Sequence, residues 1–431
     1  MASLLGASLL VVRVFPATPA RPTISSFSPA AGSVTAPVTI YGNGLQGTRS
    51  VGFNGQSAAF RVVSDSMVRT SVPAGATTGL ITLRTGAGTA ISLTSFIVSP
   101  PPKANYPAST TITGITWTSA LRRAGCGDNV PTTWGADNAI YTAFGDCSGF
   151  GKLRSSTTVG RVTDTGNPLA FTGKDIWDLR EPGGKAGRKI SGLIAEGGVL
   201  YALFRNANFH GRASQIGYSL DSGITWKFAP WLFTTSMGYP TFVNFGKAGA
   251  GAPDSFVYIV SPDSSSAYGP DPARPGMILA RVPKDQLLSQ SAYQYFTGLA
   301  AGRPQWSTDV GRRAFSFTCR NTQCVRGQVS YDAALGRYLW WQQNYVGTVD
   351  TRQSGGFGVY EAPNLWGPWH TVYYTTDSLA DPSFADPPGE SGSFPTKWMS
   401  LDGRTVYLVC SCRNAFTVRR AMLNVSANLV P

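Results

Sequence analysis

Four carboxylates in this chain stand where a pair could do acid–base work: Asp128 in CGDN, Asp146 in FGDC, Asp263 in SPDSSSAY and Glu390 in GESGSFPTKW. Hydrolysis of a glycosidic bond needs one protonated carboxyl to assist the leaving oxygen and one ionised carboxyl as base or nucleophile. Asp128 and Asp146 make the leading pair, with Glu390 and Asp263 as auxiliaries. Retaining and inverting outcomes both stay open, because sequence does not set the carboxyl separation. Arg205, Asn206, His210, Tyr239, Tyr268, Arg326 and Lys397 add the donors, acceptors and ring faces that sugar hydroxyls and C–H surfaces require. A second chemistry uses an overlapping set. β-Elimination on a uronate needs a base and a cation over the carboxylate, which His210 with Tyr239 or Tyr268 and Arg205 could compose. In a third reading these groups hold a glycan without cutting it.

The elements that position these residues come from one recurring phrase, a turn with Asp or Gly followed by an apolar strand anchored by tyrosine. It occurs as ADNAIYTAFGD, AEGGVLYALFR, APDSFVYIVSPD, DAALGRYLWWQQ and SLDGRTVYLVCS, with anchors Tyr141, Tyr201, Tyr258, Tyr338 and Tyr407. A short strand precedes each copy (NVPTTWG, ISGLIAE, YPTFVNFG, RGQVSYD, GSFPTKWMS), and four copies are followed by a third strand of outer-edge character. Repetition of one ordered strand–turn–strand unit predicts a five-bladed β-propeller. The candidate residues then lie where first strands begin and second strands end, around the mouth of a central channel.

YSLDSGITW, Tyr218 to Trp226, falls on an outer hairpin of the second blade and resembles the Asp-box of sialidase-like propellers. Asp221 there would bond turn amides, Gly223 accept positive φ and Trp226 pack the turn, a structural use. Residues 22–99 carry short alternating strands between Gly, Pro and Asn turns. With the opening PTISSFSP and the YGNGL turn, this stretch resembles an IPT/TIG domain, an immunoglobulin-like β-sandwich that spaces or binds. A Pro-rich linker over 100–108 separates it from the propeller of 109–431. The propeller half is similar to the DUF4185 family of secreted bacterial propellers, which includes endo-D-arabinanases. FGD at Phe144 to Asp146, GGVLY, YSLDSGITW, FVYIVSPD, ILARVPKD, SAYQYFTGL, VSYDAALGRYLW and APNLWGPW carry the resemblance. It implies a five-bladed, glycan-active domain with first-blade acids in the catalytic role, here Asp128 and Asp146. SPDSSSAY and GESGSFPTKW are less familiar from the arabinanase branch.

Composition agrees with an all-β chain: Gly 49 and Pro 29, with only 14% charged residues. The formal net charge of +13 is scattered and favours polyanions, an anionic polysaccharide among them. No basic helix, zinc-ligand spacing or ribonucleoprotein signature accompanies it, so nucleic acid is not an expected partner. Six cysteines in near-neighbour pairs suit disulfides in an oxidising compartment, with connectivity open. Cys410 and Cys412, two apart in a strand, would face the same side and could each pair elsewhere. Residues 1–21 contain an apolar run, Leu4 to Val12, followed by small residues. That composition suits a signal-peptide remnant without a basic n-region, and hence a secreted protein. No cofactor is expected, and no Asp-rich calcium loop is visible, although a structural calcium in the channel is compatible with the fold.

Overall fold

A computed structural model of the protein describes residues 21–32, 34, 36–73, 75–98, 104–269, 271–319, 323–345 and 355–427. The expected signal-peptide remnant falls almost wholly outside the described residues, as does the start of the linker. The chain divides into two compact units, Met1–Pro102 and Lys103–Pro431.

The first unit is a sandwich of two sheets. One orders Thr23–Ser28, Pro37–Asn43, Met67–Ser71 and Phe60–Ser64; the other orders Ala31–Gly32, Gly88–Val98, Gly79–Thr85, Thr48–Phe53 and Gln56–Ala58. Strict alternation makes this work. Val38 and Ile40 turn inward from the second strand to meet Val68, Leu83 and Phe96 in a shared core. Gly42 is required for close approach, since a Cβ there would stand 1.8 Å from the Thr23 carbonyl oxygen.

The second unit contains five antiparallel sheets among its described residues. Their first strands are Thr132–Trp134, Lys189–Glu196, Thr241–Phe242, Gln323–Asp332 and Gly392–Ser393. Successive first strands contact one another, and polar side chains stitch them. Ser191 Oγ donates to the Pro240 carbonyl at 2.7 Å, Thr241 Oγ1 to Gly327 at 2.8 Å, and Gln343 Nε2 to Gly389 at 2.9 Å. From fifth sheet to first, the Val130 amide donates to Ser391 Oγ at 2.9 Å, and the Thr132 and Ser393 hydroxyls lie 3.0 Å apart. The ring is therefore closed. The edge strand Ile112–Ala124 precedes the first sheet yet pairs with Phe416–Val425 of the last, joining the two ends of the unit.

Stacking explains the recurring phrase. The second strand Ile140–Gly145 is buried at every position, because each sheet is covered on both faces by its neighbours. Five apolar clusters fill the five gaps between adjacent sheets. Consecutive Trp340 and Trp341 point to opposite faces of the fourth sheet, one into each flanking gap. In the first and third sheets an Asp four residues before the tyrosine closes the turn, with Tyr141 and Tyr258 hydroxyls donating to Asp137 at 3.0 Å and Asp254 at 2.6 Å.

Three expectations change in detail. The third strands are interior, not edge; the edges are Thr172–Leu179, Lys227–Phe228, His370–Tyr374 and Ile112–Ala124, while the third sheet ends in Arg303–Ser307. GSFPTKWMS pairs only through Gly392 and Ser393, because Pro395 lacks an N–H and the chain winds into a 3-10 turn over Thr396–Trp398. Cys410 and Cys412 bond to each other, with Cys126–Cys147 and Cys319–Cys324 as the other pairs. The strand ends at Cys410 and turns at Ser411, so the two thiols no longer keep strand geometry.

Candidate functional site

In every sheet the start of the first strand faces the end of the second, which gathers polar groups at one end of the ring. The Asp128 amide bonds the Gly145 carbonyl, Lys189 pairs with Arg205, and the Glu390 amide donates to Ser411 Oγ at 2.7 Å. Ser411 stands between the bonded Cys410 and Cys412, and its hydroxyl also accepts from the Ser391 amide at 3.1 Å. The Cys410–Cys412 disulfide, closed around Ser411, thereby fixes the backbone that carries Glu390. In the adjoining first sheet Cys126–Cys147 ties the segment that leads into Asp128.

At the centre Tyr239 donates its hydroxyl to Asn129 Oδ1, and Asn129 Nδ2 donates to Asp128 Oδ1 at 2.6 Å. Arg326 forms an ion pair with Glu390. Both Arg205 and Arg326 lie over the Tyr239 ring, at 5.2 and 5.0 Å from its centroid. Asp128 and Glu390 keep 7% and 8% exposure, whereas Tyr239 and Arg205 keep 1%. Burial pushes the Tyr239 hydroxyl up to about 12, against the pull of Arg326 and Arg205, so it stays protonated and donating at neutral pH.

Arg205 is unusual. Burial opposes its charge, but Tyr268, Tyr239, Asp128 and Glu390 outweigh that cost and hold its pKa above the ordinary value. Its Nε and Nη1 nonetheless have no hydrogen-bond partner among the described residues. Asn206, held at φ 62°, donates to Tyr268 Oη at 2.8 Å and to the Gly187 carbonyl at 3.0 Å, while its Oδ1 is also unpartnered. Buried donors and acceptors left unmet are costly unless something arrives to meet them.

The other sequence candidates are placed differently. Asp146 takes its own partners, the buried Lys189 Nζ at 3.1 Å and the Gly184 amide at 3.2 Å. Asp263 is enclosed by Ser236, Arg274 and Arg313, all bonded to its carboxylate. Its two oxygens are thus committed to positioning other groups. Lys397 lies at the far end of its sheet, near Thr405, and pairs at 2.6 Å with Asp164, which follows the third strand of the first sheet. It does not join Glu390, because the first strand carries the chain across the sheet between them. His210 is exposed on the loop after Arg205. Tyr268 is half-buried, its ring 5.4 Å from the Arg205 guanidinium and 5.6 Å from Lys185 Nζ. Among the described residues no three His, Cys, Asp or Glu side chains gather as a metal would need.

YSLDSGITW is an outer hairpin turn. Asp221 accepts from the Thr225 amide at 2.8 Å and its hydroxyl at 2.6 Å, and Trp226 Nε1 donates to Gly223 at 3.0 Å. These Thr225 bonds, with one from Ser219, lower the Asp221 pKa to about 2. Ser411, Lys185, Arg274 and Arg313 carried no sequence signal. Each acts through a partner distant in the chain or on a connection outside the repeated phrase.

Residues 22–98 match the family model for the IPT/TIG domain. No curated protein matches the chain. Among solved structures it is similar to a GH43_1 enzyme from Xanthomonas citri, at 15% identity over 73% of this chain and 91% of that one, TM-score 0.39. It is also similar to the α-L-arabinofuranosidase Arb93A of Fusarium graminearum, at 11% identity over 70% and 80%, TM-score 0.38. An auxiliary nutrient binding protein from Bacteroides thetaiotaomicron shares 11% identity over 93% and 97%, TM-score 0.30. These superpositions are loose, and the architecture rests on the sheets themselves: a small β-sandwich and an all-β propeller. No helix among the described residues is long and apolar enough to cross a membrane.

Proposed function

We propose that this is a secreted glycoside hydrolase acting on a polysaccharide at the mouth of a five-bladed propeller, in the manner of the DUF4185 propellers it resembles. One observation carries the reading. Two nearly buried carboxylates, Asp128 and Glu390, converge with Tyr239, Arg326 and the unpartnered guanidinium of Arg205 at the mouth of one ring. Asp128 and Glu390 are the reacting pair in this reading, and Asp146, tied to Lys189, holds the wall that carries Gly184. Arg205, Asn206, Tyr239, Tyr268 and Arg326 bind sugar hydroxyls and ring faces. Replacing Asp128 by Asn or Glu390 by Gln removes an ionisable oxygen at near-constant shape. Each is expected to lower reducing-end release by about 100-fold or more in protein that remains folded, with a lower melting transition for the Glu390 variant because its ion pair with Arg326 is broken.

Arg205 favours a second reading on the same residues. A guanidinium stacked between Tyr239 and Tyr268 with unmet donors suits a uronate carboxylate, and a protonated Tyr239 could serve β-elimination. Disulfides at the mouth suit an oxidising, extracellular setting. A lyase leaves an unsaturated product that absorbs in the ultraviolet, and a hydrolase does not. Screening neutral and anionic polysaccharides with both readouts separates the two.

A further inference from the structure

Beside the central cluster lies a separate cavity of about 550 Å³, walled by Arg212, Arg274, Arg313, Thr235, Ser236 and Ser266 among others. Three guanidiniums and a row of hydroxyls make its chemistry unlike that of an ordinary surface cleft. Asp263 organises it. The carboxylate is buried, 2% exposed, and takes the Nε of both Arg274 and Arg313 together with the Ser236 hydroxyl. Arg313 also gives Nη1 to the Val310 carbonyl at 2.9 Å. Arg274 keeps both terminal nitrogens without a hydrogen-bond partner among the described residues, and the side chain of Arg212 has none either. Asp271 is on the same wall, but its carboxylate caps the amide of Ala273 at 3.0 Å. With Asp263 neutralised by two arginines, the cavity presents cationic donors to whatever enters.

The cavity adjoins the central cluster through one short segment. Ser264 and Ser266 line it; the Ser266 hydroxyl accepts from the Tyr268 amide at 3.1 Å, and Tyr268 stacks on Arg205. Arg212 bridges Ser266 by backbone pairing, on the loop that begins at Asn206.

We infer that this cavity is a subsite for an oxyanion borne on a sugar, a carboxylate or a sulfate ester, held by Arg212 and Arg274 with Asp263 as the positioning residue. It deepens the glycan reading of the mouth and rests on it. A planar guanidinium fork matches a carboxylate or sulfate edge, and the flanking hydroxyls match the ring hydroxyls beside it. Asp263 acts through the arginines and does not touch the ligand. This accounts for a buried acid that has no free oxygen for catalysis.

The test is a titration of the full chain, followed by NMR, with glucuronate, glucose 6-sulfate and glucose. At least one of the two anions is expected to bind about 10-fold more tightly than glucose, and the preference between them names the source. Arg212→Gln, at an exposed and unpaired position, removes that preference without altering the melting transition; Arg274→Gln does the same if its fold is intact. Glu390→Gln leaves it in place while abolishing cleavage. Equal binding of all three sugars, or an anion preference that survives both arginine substitutions, overturns the subsite. If glucuronate binds in an Arg212-dependent way but no polysaccharide is cut, the hydrolase reading falls and the subsite stands.

Discussion

Arg205 shows how far single residues define this site. A buried guanidinium with two unpartnered nitrogens is poorly explained by stability alone, since the same space filled by an apolar group would leave nothing unsatisfied. Arg205→Met is therefore expected to raise KM about 10-fold or more while kcat falls less, as for a group that binds substrate and transition state alike. Asp332, outside the mouth, gives a pH test of the fold. Burial pushes its carboxyl from the ordinary 3.8 up to about 6, against hydrogen bonds from the Leu335 and Ala334 amides. The folded protein thus holds this proton more tightly than the unfolded chain. The stabilisation is complete below pH 4 and is lost as pH rises through 6. Melting temperatures measured from pH 4 to 7 should show that decline in the native protein and a flatter profile in Asp332→Asn.

At the scale of elements, the phrase that repeats in sequence repeats because each copy is a strand covered on both faces and closed by a polar turn. Trp340 and Trp341 serve two different gaps, so Trp340→Ala should cost about 3–5 kcal/mol in denaturant unfolding, as for a large ring removed from a tight core. Asp221→Ala removes the bonds to Thr225 in an exposed turn. It is expected to lower the melting temperature modestly and leave any cleavage rate unchanged, a pattern that an active-site acid would not give. The strands were legible because an apolar run anchored by tyrosine after an Asp or Gly turn is a local signal, as alternation is in residues 22–99, and Asp128, Glu390, Arg205 and Arg326 were named from their places at strand ends. Asp263 and Lys397 were not legible in the same way. The partners of Asp263 are Arg274 and Arg313, the second lying beyond two added strands of the third sheet. Lys397 is carried to the far end of the ring once Pro395 ends the strand pairing.

The whole second unit depends on closure, since Ile112–Ala124 and Phe416–Val425 form one sheet from opposite ends of the unit. Deleting 416–431 should therefore abolish cooperative unfolding of this unit and any activity with it, whereas residues 103–431 alone should retain both. The ring also explains how acids about 260 residues apart come to share one mouth: Asp128 enters from the first sheet and Glu390 from the last, and those two sheets are neighbours. Glycan cleavage by these two carboxylates is checked by screening the native protein, Asp128→Asn and Glu390→Gln against neutral and anionic polysaccharides, with reducing ends and ultraviolet absorbance read together. Reducing-end release without ultraviolet absorbance in the native protein, lost by about 100-fold or more in both folded variants, is the predicted result. Cleavage that persists unchanged in either variant, or a native protein that binds glycan and cuts none, would contradict it.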